Sequence, residues 1–239
     1  LLTMSVAATS CLDDLDRFPT NDTTSEKVYA TFQGYKEVMA KVYGSYSQVG
    51  NDLASKDDIT MGDGASADFL RCFFNLQCLT TEEAICTWTD SGIPDLNFMN
   101  WSSNNTFISG LYYRALYQIA LVNEFLREST ESKVSGRGIT GNDATEIKYF
   151  RAEARFLRAF QYWVLMDVYG NPPFVDENTP IGKFLPSQIK RTDLFKYIEL
   201  ELLEVQDLLK APHSNEYGRA DQAACWALMA RMYLNAEVY

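Results

Sequence analysis

Apolar residues recur along this chain mostly at helical spacing. Val28, Phe32, Tyr35, Met39, Val42 and Tyr46 follow one another at steps of +4, +3, +4, +3 and +4, which lays one apolar stripe along an amphipathic helix. Thr23 with Glu26 three residues on predicts a capping box at its start, and Gly50-Asn51-Asp52 predicts its end. From Thr106 onward the chain reads as helical throughout. Ile108, Tyr112, Ala115, Ile119, Val122 and Leu126 form one stripe; Phe107, Leu111, Tyr117, Leu121 and Phe125 form a second. Two stripes predict a helix packed on more than one side. A polar loop over 129–142 leads to a helix opened by Asp143 and Glu146, with Ile147, Phe150, Ala154, Leu157, Val164 and Val168 inward. Gly170 and Pro172-Pro173 end it, glycine by adopting the left-handed cap and proline by forbidding continuation. A further helix is predicted from Thr192 to near Leu209. Phe195, Ile198, Leu202, Val205 and Leu209 face inward, Glu199, Glu201, Glu204 and Asp207 mostly face water, and Pro212 closes it. The last, from about Arg219, carries Ala220, Ala223, Ala224, Ala227 and Ala230, small side chains that let two helix axes approach closely.

Residues 51–105 differ. Glycine, aspartate, Pro94 and dense aromatics dominate, and no long helical period fits. An irregular segment of this length inside a compact domain is usually functional. The fold class expected is therefore mostly α: an N-terminal helix plus an irregular binding segment over 23–105, then two tetratricopeptide-like helix hairpins over 106–239. "AEARFL" and "LMARMYL" share an Ala-Arg-apolar core 76 residues apart, a weak internal repeat of the helical solenoid kind. The pattern is still apolar and helical at Tyr239 with no cap, so the chain reads as the N-terminal part of a larger domain.

Composition narrows the chemistry. The 239 residues are 46% hydrophobic and 13% aromatic, with a formal net charge of −11. An acidic chain repels phosphate backbones, so no nucleic-acid partner is expected. No apolar run reaches the 18 or so residues of a membrane-spanning helix. One histidine, His213, and five scattered cysteines form no CxxC or HExxH spacing, so no metal site is expected. No phosphate loop or GxGxxG is present, and no cofactor is expected. Adjacent carboxylates occur at Asp13-Asp14 and Glu82-Glu83, but a glycosidase needs two about 5–10 Å apart across a cleft, and sequence neighbours usually point apart. No enzymatic activity is expected.

The N-terminus carries another signal. "LLTMSVAATS" has the length of a signal-peptide apolar region, and Ala8-Thr9-Ser10-Cys11 resembles a bacterial lipobox. Residues 1–10 then read as a signal-peptide remnant and 11–22 as an extended leader whose Cys11 carries the lipid. Two or three acyl chains anchor a protein stably where one does not. Leu12-Asp13-Asp14 resembles the acidic tag that follows the lipidated cysteine in surface lipoproteins of Bacteroidetes-type bacteria. For Cys72, Cys78, Cys86 and Cys225, buried free thiols are the default, and pairing is not readable from the sequence.

The stretch "FRAEARFLRAFQYWVLMDVYGNPPFV" (150–175) resembles the signature helix of the SusD/RagB family of outer-membrane nutrient-binding lipoproteins, which runs roughly RAEARFLRAxxYxxLxxxYGxxPf. "GRADQAACWALMARMYLNAEVY" (218–239) resembles the family's second repeat helix, and "DFLRCFFNLQCLTTEEAICTWTDSGIPDLN" (68–97) resembles a segment of its glycan site. The resemblance spans about 12–239. It implies a mostly α scaffold on the outer-membrane surface, which binds oligosaccharide or polysaccharide, closes over a SusC-type TonB-dependent transporter like a hinged lid, and does no catalysis. The alternative is a helical-repeat surface lipoprotein that binds protein or peptide, as the RagB branch suggests.

A sugar presents a weakly apolar C–H face and a rim of hydroxyls. The irregular segment supplies Trp88, Trp101, Arg71, Asp63, Asp68, Asp90 and Asn97 for such a ligand. The resemblance to the family's starch-binding member places Asp63, Arg71, Trp88 and Ser91 at sugar-contacting positions. Arg71 offers a rigid fork of donors, or else pairs with Asp63 or Asp68 to fold the loop. Trp88 stacks on a sugar, or else anchors the loop in the core. Asp63 accepts hydroxyl protons, or else makes an Asx turn in "GDGAS". At Ser91 the family pattern has asparagine, and a hydroxyl cannot bridge two sugar hydroxyls as an amide can.

Overall fold

A computed structural model of the chain describes residues 24–50, 57–61, 67–182 and 185–239. Cys11, Asp63 and the Thr23 capping position lie outside the described residues. Among those described the structure is helical, with two isolated β-bridges and no strand.

The long helix α7 (Gly141–Tyr169) is the centre of the molecule. It packs against α5 (Thr106–Glu128) on one side and α8 (Arg191–Val205) on another, with α2 (Phe32–Gly44) and α9 (Gln222–Leu234) also against it. This explains why two apolar stripes run along α5: Phe107, Leu111, Ala115, Ile119, Val122, Phe125 and Leu126 are all buried. Gly170 caps α7 at φ 77°, the left-handed conformation that glycine adopts without a steric cost.

Several expectations are corrected. The first helix is broken. A short turn, α1 (Ser25–Val28), precedes α2, whose cap is Thr31, accepting from Gly34 N. A Cβ on Gly34 would sit 1.7 Å from the Val28 carbonyl oxygen, so the two pieces approach at a point only glycine tolerates. The irregular segment contains α3 (Phe69–Cys78) and α4 (Ile93–Asn97). Its α3 is short, and only Phe69, Cys72 and Asn75 are buried along it, too few positions for a helical period to emerge. The 129–142 loop contains α6 (Glu131–Gly136), capped by Thr130. On α8 it is Leu194, not Phe195, that is fully buried beside Ile198, Leu202 and Val205. Glu201 does not face water; it takes Arg155 at 2.7 Å and Arg158 at 3.2 Å. Ala223, Ala227 and Ala230 lie exposed on α9 rather than in a close helix contact. Helix α9 stops at Leu234, and Tyr239 folds back to accept from Trp163 Nε1 at 3.2 Å.

One buried charge ties the irregular segment to this scaffold. Arg114 of α5 is fully buried. Its guanidinium donates to the Ala67 carbonyl at 2.7 Å, the Val49 carbonyl at 3.0 Å and Asp58 at 3.1 Å. A buried charge is tolerated only when paired and hydrogen-bonded, so the residues flanking α2 and α3 are held wherever Arg114 is. Cys72 and Cys225 are fully buried; burial pushes the Cys72 thiol up to about 12 and Cys225 to about 11.

Candidate glycan site

Helix α3 begins at Asp68, whose side chain accepts from Arg71 N at 2.7 Å. This N-cap satisfies one of the orphan donors of the first turn. It also decides where Arg71 stands, one turn into α3 and facing the N-terminus of α5. Asp68 is thus a cap and not an ion partner for Arg71.

One ion partner of Arg71 comes from a turn. Ile93 N donates to the Asp90 carbonyl at 3.1 Å, and Gly92 sits at φ 90°. Asp90-Ser91-Gly92-Ile93 is therefore a tight turn of the kind that requires a positive φ at its third residue. The N-terminus of α5 pins it: Asn105 Nδ2 donates to the Gly92 carbonyl at 3.0 Å and Thr106 Oγ1 to the Ser91 carbonyl at 3.0 Å. Asn105 also caps α5 through Phe107 N at 3.0 Å. The preceding extended stretch is held by Asn97, which donates to the Cys86 carbonyl at 2.6 Å and accepts from its N–H at 3.3 Å. Asn97 thereby serves the frame of the segment.

These restraints bring three elements together. Arg71 Nη2 lies 2.8 Å from Asp90 Oδ2. The guanidinium carbon is 5.8 Å from the centre of the Trp88 ring and 5.3 Å from that of Phe107, both within cation–π range. Phe107 is fully buried, whereas Trp88 is 65% exposed. Trp88 is therefore not a core anchor. Ser91 is exposed on the turn. Two of the four expected contact residues, Arg71 and Trp88, thus share one surface cluster with Asp90, and Ser91 follows Asp90 on the turn. Asp63 lies outside the described residues, as does Cys11, the residue expected to carry lipid. Glu82 and Glu83 are exposed after α3. Among the described residues no group of three or more His, Cys, Asp and Glu could hold a metal ion, and no helix is long and apolar enough to cross a membrane.

The Asp90 pairing was within reach of the sequence, because "TDSG" is a turn signal and places Asp90 two residues after Trp88. The Phe107 contact carried no such signal.

The protein-family profile described as "Starch-binding associating with outer membrane" matches residues 15–234. The chain belongs to the SusD-like family. It is 35% identical over 238 residues to the starch-binding protein SusD of Bacteroides thetaiotaomicron, covering 99% of this chain and 40% of that protein. The chain therefore spans well under half the length of this SusD relative. Among solved structures, surface glycan-binding protein A of Bacteroides uniformis superposes with a TM-score of 0.63 at 19% identity, covering 87% of this chain and 43% of that one. A laminarin-binding SusD-like protein superposes at 0.62 with 18% identity, covering 85% and 40%. These two likenesses establish the SusD-like helical fold.

Proposed function

We propose that this SusD-like chain binds neutral oligosaccharide or polysaccharide at the cell surface and passes it to a SusC-type TonB-dependent transporter. In this reading lipid on Cys11 holds the protein in the outer membrane, and no covalent step is involved. The observation that carries the proposal is Trp88, a large aromatic left mostly exposed beside the paired Arg71 and Asp90. Exposed aromatics cost apolar hydration, and a tryptophan with donors and acceptors at its edge suits a sugar ring laid against it. Ser91 sits on the same rim, and Asp63 completes the set by family position. The SusD relative is named for starch and one structural relative for laminarin, so α- and β-linked glucans are the first ligands to try.

Calorimetric titration with maltoheptaose and laminarihexaose tests the site. Trp88→Ala and Arg71→Ala should each weaken binding about five- to thirty-fold, equivalent to about 1–2 kcal/mol, with no loss of the folded state. Ser91→Asn should tighten it by restoring an amide. Unchanged affinity in folded Trp88→Ala and Arg71→Ala proteins would sink the site. For the anchor, Cys11→Ala should lose palmitate labelling and leave the membrane fraction; labelling equal to wild type would refute it.

A further inference from the structure

Helix α3 presents a second concave surface at its other end. Arg71 stands in its first turn and Gln77 in its last. Six residues along a helix correspond to roughly 9 Å of rise and a direction about 120° away, so the two ends serve different faces. Beside Gln77 lie two adjoining concavities of about 530 and 280 Å³, which share Ser103, Ile108 and Tyr169. The larger is within the roughly 300–1,000 Å³ range of ligand pockets.

Trp101, Tyr112, Tyr113 and Tyr169 are among the residues that line this groove. Trp101 is 43% exposed and Tyr113 52% exposed. Tyr112 holds Tyr113 and Tyr169 in edge-to-face contacts at 5.6 and 5.4 Å between ring centres. Tyr169 is fixed in turn by donating to the Ile108 carbonyl at 2.7 Å. The Asp167 carboxylate lines the larger concavity together with Trp101 and Tyr169. One of its oxygens accepts from Tyr239 Oη at 2.8 Å and the other from Gln77 Nε2 at 3.4 Å. Each carboxylate oxygen can take a second donor, so Asp167 is oriented and can still accept. Neither lysine nor arginine is among the described residues that line the groove.

We propose that this groove is a second saccharide subsite, selective for uncharged sugars. The exposed rings match the C–H faces of a pyranose, and Asp167 with Gln77 matches its hydroxyl edge. An anionic sugar would meet the Asp167 carboxylate among described lining residues that include no lysine or arginine, and like charges at close range disfavour binding. The groove stands independently of the Arg71 cluster. Only its consequence rests on that reading: a glycan long enough to touch both ends of α3 would be held more tightly than by either site alone, by effective concentration.

The four tryptophans of the chain make the test direct. Indole N–H resonances of the full chain, assigned with single Trp→Phe variants, are followed by NMR during titration with maltoheptaose, laminarihexaose and pentagalacturonate. The Trp101 resonance should shift saturably with at least one neutral oligosaccharide, in wild type and in Trp88→Ala alike, and at least about ten-fold more weakly with pentagalacturonate. Trp226, 48% exposed on α9, should stay still. Tyr113→Ala should weaken the Trp101-reported affinity about five- to ten-fold. A Trp101 resonance unmoved by both neutral oligosaccharides overturns the subsite. So does an equal response to pentagalacturonate, which would remove its selectivity. Movement of Trp101 with Trp88 static would sink the Arg71–Trp88 reading and leave this one standing.

Discussion

Arg158 on α7 and Arg71 on α3 have the same chemical company and opposite settings. Arg158 reaches Glu177, Glu201 at 3.2 Å and Asn123 at 2.8 Å, with the Tyr197 ring 6.0 Å from its guanidinium carbon. Arg71 reaches Asp90 at 2.8 Å, with Trp88 and Phe107 as its rings. The side chain of Arg158 is 2% exposed and that of Arg71 23%, with its partner Asp90 at 44%. The first arrangement ties α7 to α8 and to the chain after α7. The second lies at the surface, where its aromatic partner faces water. Arginine, carboxylate and aromatic ring in one cluster are therefore not in themselves a binding site. The surface setting is what allows a ligand to compete for the pairing, and burial is what turns the same groups into a strut.

The sharpest way to break this contrast is Arg158→Ala. Removing one partner of a buried ionic cluster leaves Glu177 and Glu201 undercompensated, at a cost of about 3–5 kcal/mol. For a chain of this size that is roughly 6–20 °C in Tm, read by circular dichroism. A Tm within a degree or two of wild type would mean that the cluster is not a strut.

Acid probes the same pairing more gently. Burial pushes the Glu177 carboxyl up, but the hydrogen bond and charge of Arg158 outweigh it and hold it below the ordinary 4.5. Glu146 is likewise held down against burial by Lys210 and Arg219. A carboxylate whose folded pKa lies below its unfolded one stabilises the protein above the unfolded value, and that contribution fades as pH falls through the folded one. Urea midpoints should hold steady down to about pH 5 and then fall, and Arg158→Ala should blunt the fall.

Gly92→Ala acts on the exposed side of the comparison. The new Cβ would meet Asn105 Nδ2 at 2.9 Å with φ at 90°, so the cost is about 1–2 kcal/mol from the left-handed backbone, with Asp90 and Ser91 displaced. Stability should drop modestly and oligosaccharide affinity with it. Unchanged affinity would show that the turn does not position the rim. The smallest stability effect is expected for Arg71→Ala, under about 1 kcal/mol because the pair is partly solvated. A Tm loss comparable to that of Arg158→Ala would make Arg71 a strut too and remove the distinction between the two clusters.

The sequence alone determined the helical scaffold, because long helices buried on more than one side repeat their apolar positions many times. The stripes of α5, the length of α7 and its stop at Gly170-Asn171-Pro172 are all local patterns that survive packing. It also put Arg71, Trp88 and Ser91 forward as contact residues, through the family resemblance rather than through spacing. Tertiary structure decided what spacing does not encode. Ten residues of α3 hold too few buried positions to show a period, and its start depends on a cap at Asp68. The break after Val28 depends on how closely α2 approaches a carbonyl. Whether Glu201 faces water or an arginine depends on α7 lying against α8, and whether Trp88 is core or surface depends on how α5 grips the turn at Ser91-Gly92. Such outcomes rest on pairs of residues distant in the chain, such as Asn105 with Gly92, Arg114 with Asp58 and Tyr239 with Asp167, and no local pattern of either partner announces the other.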